Sequence, residues 1–153
     1  MIIMISVAVC FLFIFFYMDR HLKPIEIYCV VFSALYSALA FDALFKGRYK
    51  LYYYGNDPGV HYIDFLFRLC LYPLTCLVFL NMFPRKNSRM IKVLYFIGWV
   101  LLMTLMEWGL LQLSVIKYDG WRLYYTPLKF GLIFYLVLLS WMVTKKFAKQ
   151  SNA

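Results

Sequence analysis

Residues 62–83 read YIDFLFRLCLYPLTCLVFLNMF, and this stretch decides the fold that the sequence predicts. It is long and apolar enough to cross a bilayer core of about 30 Å as a helix, yet it contains Asp64, Arg68 and Pro73. A charged pair and a proline inside a membrane helix cost free energy unless neighbouring helices satisfy them. We therefore interpret the rest of the chain as those neighbours.

The composition favours lipid as the main solvent. Hydrophobic residues make up 65% of the chain and aromatic residues 22%, whereas soluble domains are about 45–50% apolar. The net charge of +9 comes from short basic clusters between apolar runs, the pattern of topology signals and headgroup contacts rather than of a nucleic-acid surface. We expect the lipid bilayer to be the main partner, with no nucleic acid bound.

The apolar runs are continuous rather than alternating, which argues against a β-barrel. The first run has no basic segment before it and no small-residue cleavage site after it, so we expect a retained helix rather than a cleaved signal peptide. The sequence predicts one transmembrane domain over residues 1–153, without a soluble domain and with a basic tail at 145–153. Its fold is an all-α bundle of five transmembrane helices at about 2–18, 25–45, 62–83, 90–115 and 128–143.

Basic residues between the helices predict the orientation. Six lie on the side of the N-terminus, namely Lys46, Arg48, Lys50, Lys117, Arg122 and Lys129. Nine lie on the other side, namely Arg20, Lys23, Arg85, Lys86, Arg89, Lys92, Lys145, Lys146 and Lys149. Because cytoplasmic segments carry the excess of Lys and Arg, we expect the N-terminus outside and the C-terminus inside.

Two further patterns concern how the helices meet each other and the lipid. Small residues, Ser33, Ala34, Ser37 and Ala38, recur along the second helix and would let helix backbones approach closely. Two loops at 46–61 and 117–127 are rich in aromatic residues, and we interpret these as interfacial rings at headgroup depth. They are Tyr52, Tyr53, Tyr54, Tyr118, Trp121, Tyr124 and Tyr125.

Four charged residues are expected to converge in one layer of the membrane. With the predicted topology, Asp42, Asp64, Arg68 and Glu107 all fall toward the outer ends of their helices. Asp64 and Arg68 are four residues apart and share a helix face, and Arg68 has more donors than one carboxylate can use. We predict that Arg68 reaches Glu107 or Asp42. The cluster is either a structural network between helices or a site for a polar ligand, ion or proton.

Other chemistry is sparse in this sequence. Pro73 removes a backbone hydrogen bond, and we expect a helix kink that serves packing more than gating. The sequence contains no phosphate-binding glycine loop, no nucleophile elbow and no zinc-protease motif. The four cysteines lie in apolar runs without metal-ligand spacing. We therefore expect no enzymatic activity, no cofactor and no metal.

Several of these features together resemble a known family. They are an acid late in the second helix, a Tyr-rich segment, Tyr72-Pro73 in the third helix, Glu107 late in the fourth, and the run Lys117-Tyr118-Asp119-Gly120-Trp121. From about Phe41 to Trp141 the chain resembles an uncharacterised family of small multi-pass membrane proteins from Gram-positive endospore-forming bacteria. The resemblance implies a bacterial plasma-membrane protein, with Glu107, Pro73 and the Tyr118-to-Trp121 turn as family features.

These observations predict a multi-pass integral membrane protein that acts as an accessory or interaction protein, with other membrane subunits or a second copy of itself as candidate partners. The alternative is a small transporter or ligand-binding membrane protein that uses the outer polar cluster. A third, weaker hypothesis is recognition of lipid headgroups by the basic, aromatic loops.

Overall fold

The computed structural model describes residues 2–17, 21–54 and 67–150. Within these residues the chain forms five α-helices and two short strands. The helices are α1 (Ile2–Tyr17), α2 (Pro24–Asp42), α3 (Tyr72–Asn81), α4 (Arg89–Gln112) and α5 (Thr126–Gln150), and the strands are β1 (Tyr52–Tyr54) and β2 (Ile116–Tyr118).

Three helical segments of the described chain are long and apolar enough to cross a membrane. The first joins α2 to a π-helical extension, Ala43–Arg48, and so covers Pro24–Arg48. The other two are Arg89–Gln112 and Leu123–Ala148. α3 is apolar but shorter, and a π-helical turn, Phe67–Leu71, precedes it. These lengths support a membrane location for the protein.

The residues at the start of α2 are typical of a helix N-terminus. Pro24 occupies the first turn, where its missing N–H would have had no helical partner. The Lys23 backbone N–H donates to Glu26 Oε2 at 3.1 Å, which gives half of a capping box. This turn also meets the end of α3, because the His21 backbone N–H donates to Asn81 Oδ1 at 2.8 Å.

The last helix is longer than the sequence predicted. α5 continues to Gln150 rather than ending near residue 143, so most of the predicted basic tail is helical. The Lys145 ammonium lies 5.0 Å from the centre of the Trp141 ring, a cation–π contact. Basic side chains in a final helical turn also interact favourably with the helix dipole.

The two aromatic segments are not simple loops, which corrects the sequence interpretation. β1 and β2 pair antiparallel, with Tyr52 opposite Tyr118 and Tyr54 opposite Ile116. The Leu51 carbonyl extends the pairing by accepting the backbone N–H of Asp119 at 2.8 Å. Tyrosine and isoleucine favour extended backbone. With three residues in each strand, the ribbon is too short to show an alternating pattern in the sequence.

Each strand begins where a helix ends on a left-handed residue. Lys50, after the extension of α2, has φ 51°, and Ser114, after α4, has φ 55°. A left-handed residue is a common helix stop, usually glycine. Neither position is a glycine, so the sequence did not signal where these helices end.

α3 lies at the centre of the packing. It packs against α1 and α2 and also touches α5, while α2 and α4 pack against α5. Nine of the ten residues of α3 are buried. By contrast, only Met103, Glu107 and Leu110 are buried in α4, so most of that helix faces outward.

The small-residue face of α2 is used inside the molecule. Ala34, Ser37 and Ala38 are buried, and α2 packs against α3 and α5. Small side chains allow this close approach between helices. The same residues therefore give no support to a contact between copies of the chain.

Candidate functional site

Glu107 is the centre of a buried polar cluster. It lies on the single buried stripe of α4 with Met103 and Leu110, at the i, i+4 and i+7 spacing of one helix face. The residue is 6% exposed. A carboxylate at such a position is costly unless charge and hydrogen bonds compensate it.

Lys129 supplies the compensating charge. Its ammonium forms an ion pair with Glu107 Oε2, and both side chains are almost completely buried. The ammonium also faces the rings of Phe130, Tyr52 and Trp121, with 4.6, 5.4 and 5.8 Å to the ring centres. Aromatic faces attract a desolvated cation. The first turn of α5 thus brings a base to the acid of α4.

Two hydroxyl groups bind the other oxygen of Glu107. The Tyr118 hydroxyl and Thr126 Oγ1 each donate to Glu107 Oε1 at 2.8 Å. Trp121 Nε1 in turn donates to Thr126 Oγ1 at 3.1 Å. Burial, followed by the Glu107 charge, raises the pKa of Tyr118 well above its usual value, so this hydroxyl stays protonated. We call Glu107, Lys129, Tyr118, Thr126 and Trp121 the Glu107 cluster.

Asp42 belongs to an adjoining contact between α2 and β1. The Tyr52 hydroxyl donates to Asp42 Oδ1, and both residues are buried. Burial, then the Asp42 charge, raises the pKa of Tyr52 far above its usual value, which keeps it a donor. Because Lys129 faces the Tyr52 ring, the Asp42 contact and the Glu107 cluster lie side by side.

The remaining members of the predicted charged layer are not described. Asp64 lies outside the described residues. Arg68 lies in the π-helical turn Phe67–Leu71, and its side chain is outside the description. That Arg68 reaches Glu107 or Asp42 therefore stays a prediction, while the charge partner that Glu107 has in the structure is Lys129.

Lys129 and Thr126 were missed by the sequence reasoning. Lys129 was counted with the loop cations, yet it lies in the first turn of α5 and is buried. The sequence did contain a signal that Lys129 is helical, because Lys129 lies two residues after Pro127 at the start of an apolar run. With the predicted topology, Glu107 near the end of α4 and Lys129 at the start of α5 fall on the same side of the membrane.

A small cavity borders the Glu107 cluster. Its volume is about 20 Å³, and its walls include Tyr54, Tyr72, Met103, Glu107 and Ile116. This space admits about one water molecule. As the described residues define it, a cavity of this volume is too small for an organic solute.

The aromatic residues divide into three groups by burial. Tyr52, Tyr54 and Trp121 are buried, which differs from the predicted position at headgroup depth. Tyr53 and Tyr118 are half-buried. Tyr124 and Tyr125 are exposed and lie with ring centres 4.3 Å apart. The pleat explains the difference in β1, because Tyr52 and Tyr54 share the face that packs on the helices and Tyr53 points the other way.

Pro73 lies where the π-helical turn before α3 gives way to regular helix. It is the second residue of α3, a position that tolerates the missing N–H. Thr75 Oγ1 donates to the Leu71 carbonyl at 2.8 Å, which binds the end of the turn. Such turns are a recognised cause of helix irregularity, so the predicted kink coincides with a change of helix type.

Metal ligands do not gather in this part of the molecule. Among the described residues no three His, Cys, Asp or Glu side chains are placed to hold a metal ion.

Comparison with known proteins gives no relative, since no family model, no curated protein and no solved structure matches the chain.

Proposed function

We propose that the protein is a multi-pass plasma-membrane protein with an accessory or interaction role, in which the Glu107 cluster holds helices together. The observation that carries this proposal is the pairing of Glu107, whose two oxygens are bound by Lys129, Tyr118 and Thr126. A transported solute would need space at this carboxylate, and the adjoining cavity of about 20 Å³ offers too little.

In this proposal five helices span the membrane, with the N-terminus outside. The contact of His21 with Asn81 at one end, and the strand ribbon at the other, are consistent with consecutive helices that alternate in direction. The burial of Lys129 removes one cation from the N-terminal side of the charge count, which leaves five against nine and strengthens the expected orientation. The bacterial plasma membrane is proposed from the family resemblance.

Cysteine labelling tests the orientation and the closed cluster together. In a background with alanine at Cys10, Cys29, Cys70 and Cys76, we expect a membrane-impermeant maleimide to label Tyr124→Cys in intact cells, because Tyr124 is exposed beside the ribbon. It should label Lys146→Cys only after permeabilisation. The opposite order would invert the orientation.

The third arm of the same experiment uses Thr126→Cys. Thr126 is completely buried in the Glu107 cluster, so it should stay unlabelled in both conditions while Tyr124→Cys reacts. Labelling of Thr126→Cys at a rate near that of Tyr124→Cys would mean that water fills the cluster, and would favour the ligand-binding or transport function instead.

Purification from the native membrane tests the accessory role. We expect the tagged protein, extracted in a mild detergent, to retain a partner chain or a second copy at a fixed stoichiometry, as measured by native mass and protein identification. A homogeneous monomer without any retained chain would contradict an accessory role, and it would leave the labelling result on orientation intact.

A further inference from the structure

A groove lined in part by Lys129 lies between α2 and α5. Its volume is about 390 Å³, within the range of about 300–1,000 Å³ that ligand pockets occupy. We call it the α2–α5 groove. Its walls include Phe41, Phe45, Trp121, Tyr125, Leu132 and Lys129.

The walls of the α2–α5 groove are mostly apolar, and they face the lipid. Leu128 and Leu132 on α5 are 71% and 48% exposed, and they lie in a segment apolar enough to span the membrane. A water-soluble solute would gain little from such walls. A hydrocarbon chain that enters sideways from the bilayer would fill them with dispersion contacts.

Lys129 provides hydrogen-bond donors in the wall of the groove. Its ammonium has three donors, and among the described residues the one acceptor that it meets is Glu107 Oε2. The same side chain lines the groove. Because Glu107 already neutralises its charge, the spare donors suit an uncharged acceptor, such as an ester carbonyl, better than a second full anion.

A cation, Arg122, lies in the turn that carries one wall residue of the groove. Arg122 is exposed in the turn before α5, and its carbonyl accepts the Tyr125 backbone N–H at 2.9 Å. Tyr125 itself forms part of the wall. The described lining residues include no acid, so a negative headgroup beside Arg122 would face no carboxylate of the groove wall.

We propose that the α2–α5 groove binds one acyl chain of an anionic phospholipid. In this arrangement the chain packs between Phe41, Phe45 and Leu132, an ester carbonyl accepts from Lys129, and the phosphate lies near Arg122. The proposal does not depend on the accessory role, since a bound lipid requires neither a partner chain nor access to Glu107.

Native mass spectrometry of the full chain in mild detergent tests the groove. The probes are phosphatidylglycerol and phosphatidylcholine with identical acyl chains. We expect Leu132→Trp, which fills the groove, to weaken phosphatidylglycerol binding about tenfold, or about 1.4 kcal/mol. Phe32→Trp is the matched control, because Phe32 is 69% exposed on α2 and does not line the groove. It should bind as the unmodified protein does.

A second comparison tests the headgroup. We expect the unmodified protein to prefer phosphatidylglycerol over phosphatidylcholine, and Arg122→Gln to reduce that preference while one lipid still binds. Should Leu132→Trp fail to fold, Leu128→Trp at the exposed rim replaces it. Equal binding by the groove variant and the Phe32→Trp control would overturn the acyl site, and equal affinity for the two lipids would overturn the anionic headgroup.

Discussion

Replacing Lys129 by methionine is expected to lower the free energy of unfolding by about 3–5 kcal/mol, because it leaves a buried carboxylate without its counter-charge. Glu107 would keep the hydroxyl donors of Tyr118 and Thr126, but these do not neutralise it. The measurement is the unfolding free energy in mixed micelles. Lys146→Met is the control, since Lys146 is exposed, and its effect should stay within about 0.5 kcal/mol.

The double variant isolates the pair itself. Glu107→Gln alone leaves the buried Lys129 ammonium without its counter-charge. We expect it to lower the free energy of unfolding by about as much as Lys129→Met does. The two changes together remove both charges, so the double variant should be more stable than the sum of the single losses predicts, with a coupling of about 2–3 kcal/mol. Strictly additive losses would show that the ion pair does not hold α4 to α5.

The sequence predicted the approximate places of the helices in the described residues, because long apolar runs specify them almost alone. Each of the five predicted runs overlaps one helix in the described residues. The ends of the helices were harder to predict, because they depend on the local backbone conformation. The extension of α2 and the end of α4 are followed by left-handed Lys50 and Ser114 rather than by a glycine, and α5 continues through lysines that suit a helix C-terminus.

The candidate site was predicted only in part, because the decisive partner is distant in sequence. Helical spacing pairs Asp64 with Arg68, but it says nothing about a lysine 22 residues after Glu107. The tyrosines of β1 were read as lipid contacts, because aromatic residues near a span usually are. Their burial depends on the pairing of β1 with β2, which brings together segments separated by more than sixty residues.

Phe79 shows how α3 contacts the neighbouring helices through packing. The Phe79 side chain is completely buried. Its ring centre lies 4.7 Å from that of Phe134 on α5 and 5.6 Å from that of Tyr95 on α4. The Tyr95 hydroxyl also donates to the Phe79 carbonyl at 2.8 Å. One residue of α3 thus contacts both α4 and α5.

We therefore expect Phe79→Ala to lower the free energy of unfolding by about 2–4 kcal/mol. In water a buried Phe→Ala change costs about 3–5 kcal/mol. In a bilayer the separated helices are already in apolar surroundings, so the cost comes mainly from lost ring contacts and the cavity. Unfolding in mixed micelles measures the loss, and Phe32→Ala is the matched control, since Phe32 on α2 is 69% exposed. Similar losses for the two variants would mean that α3 is not the centre of the packing.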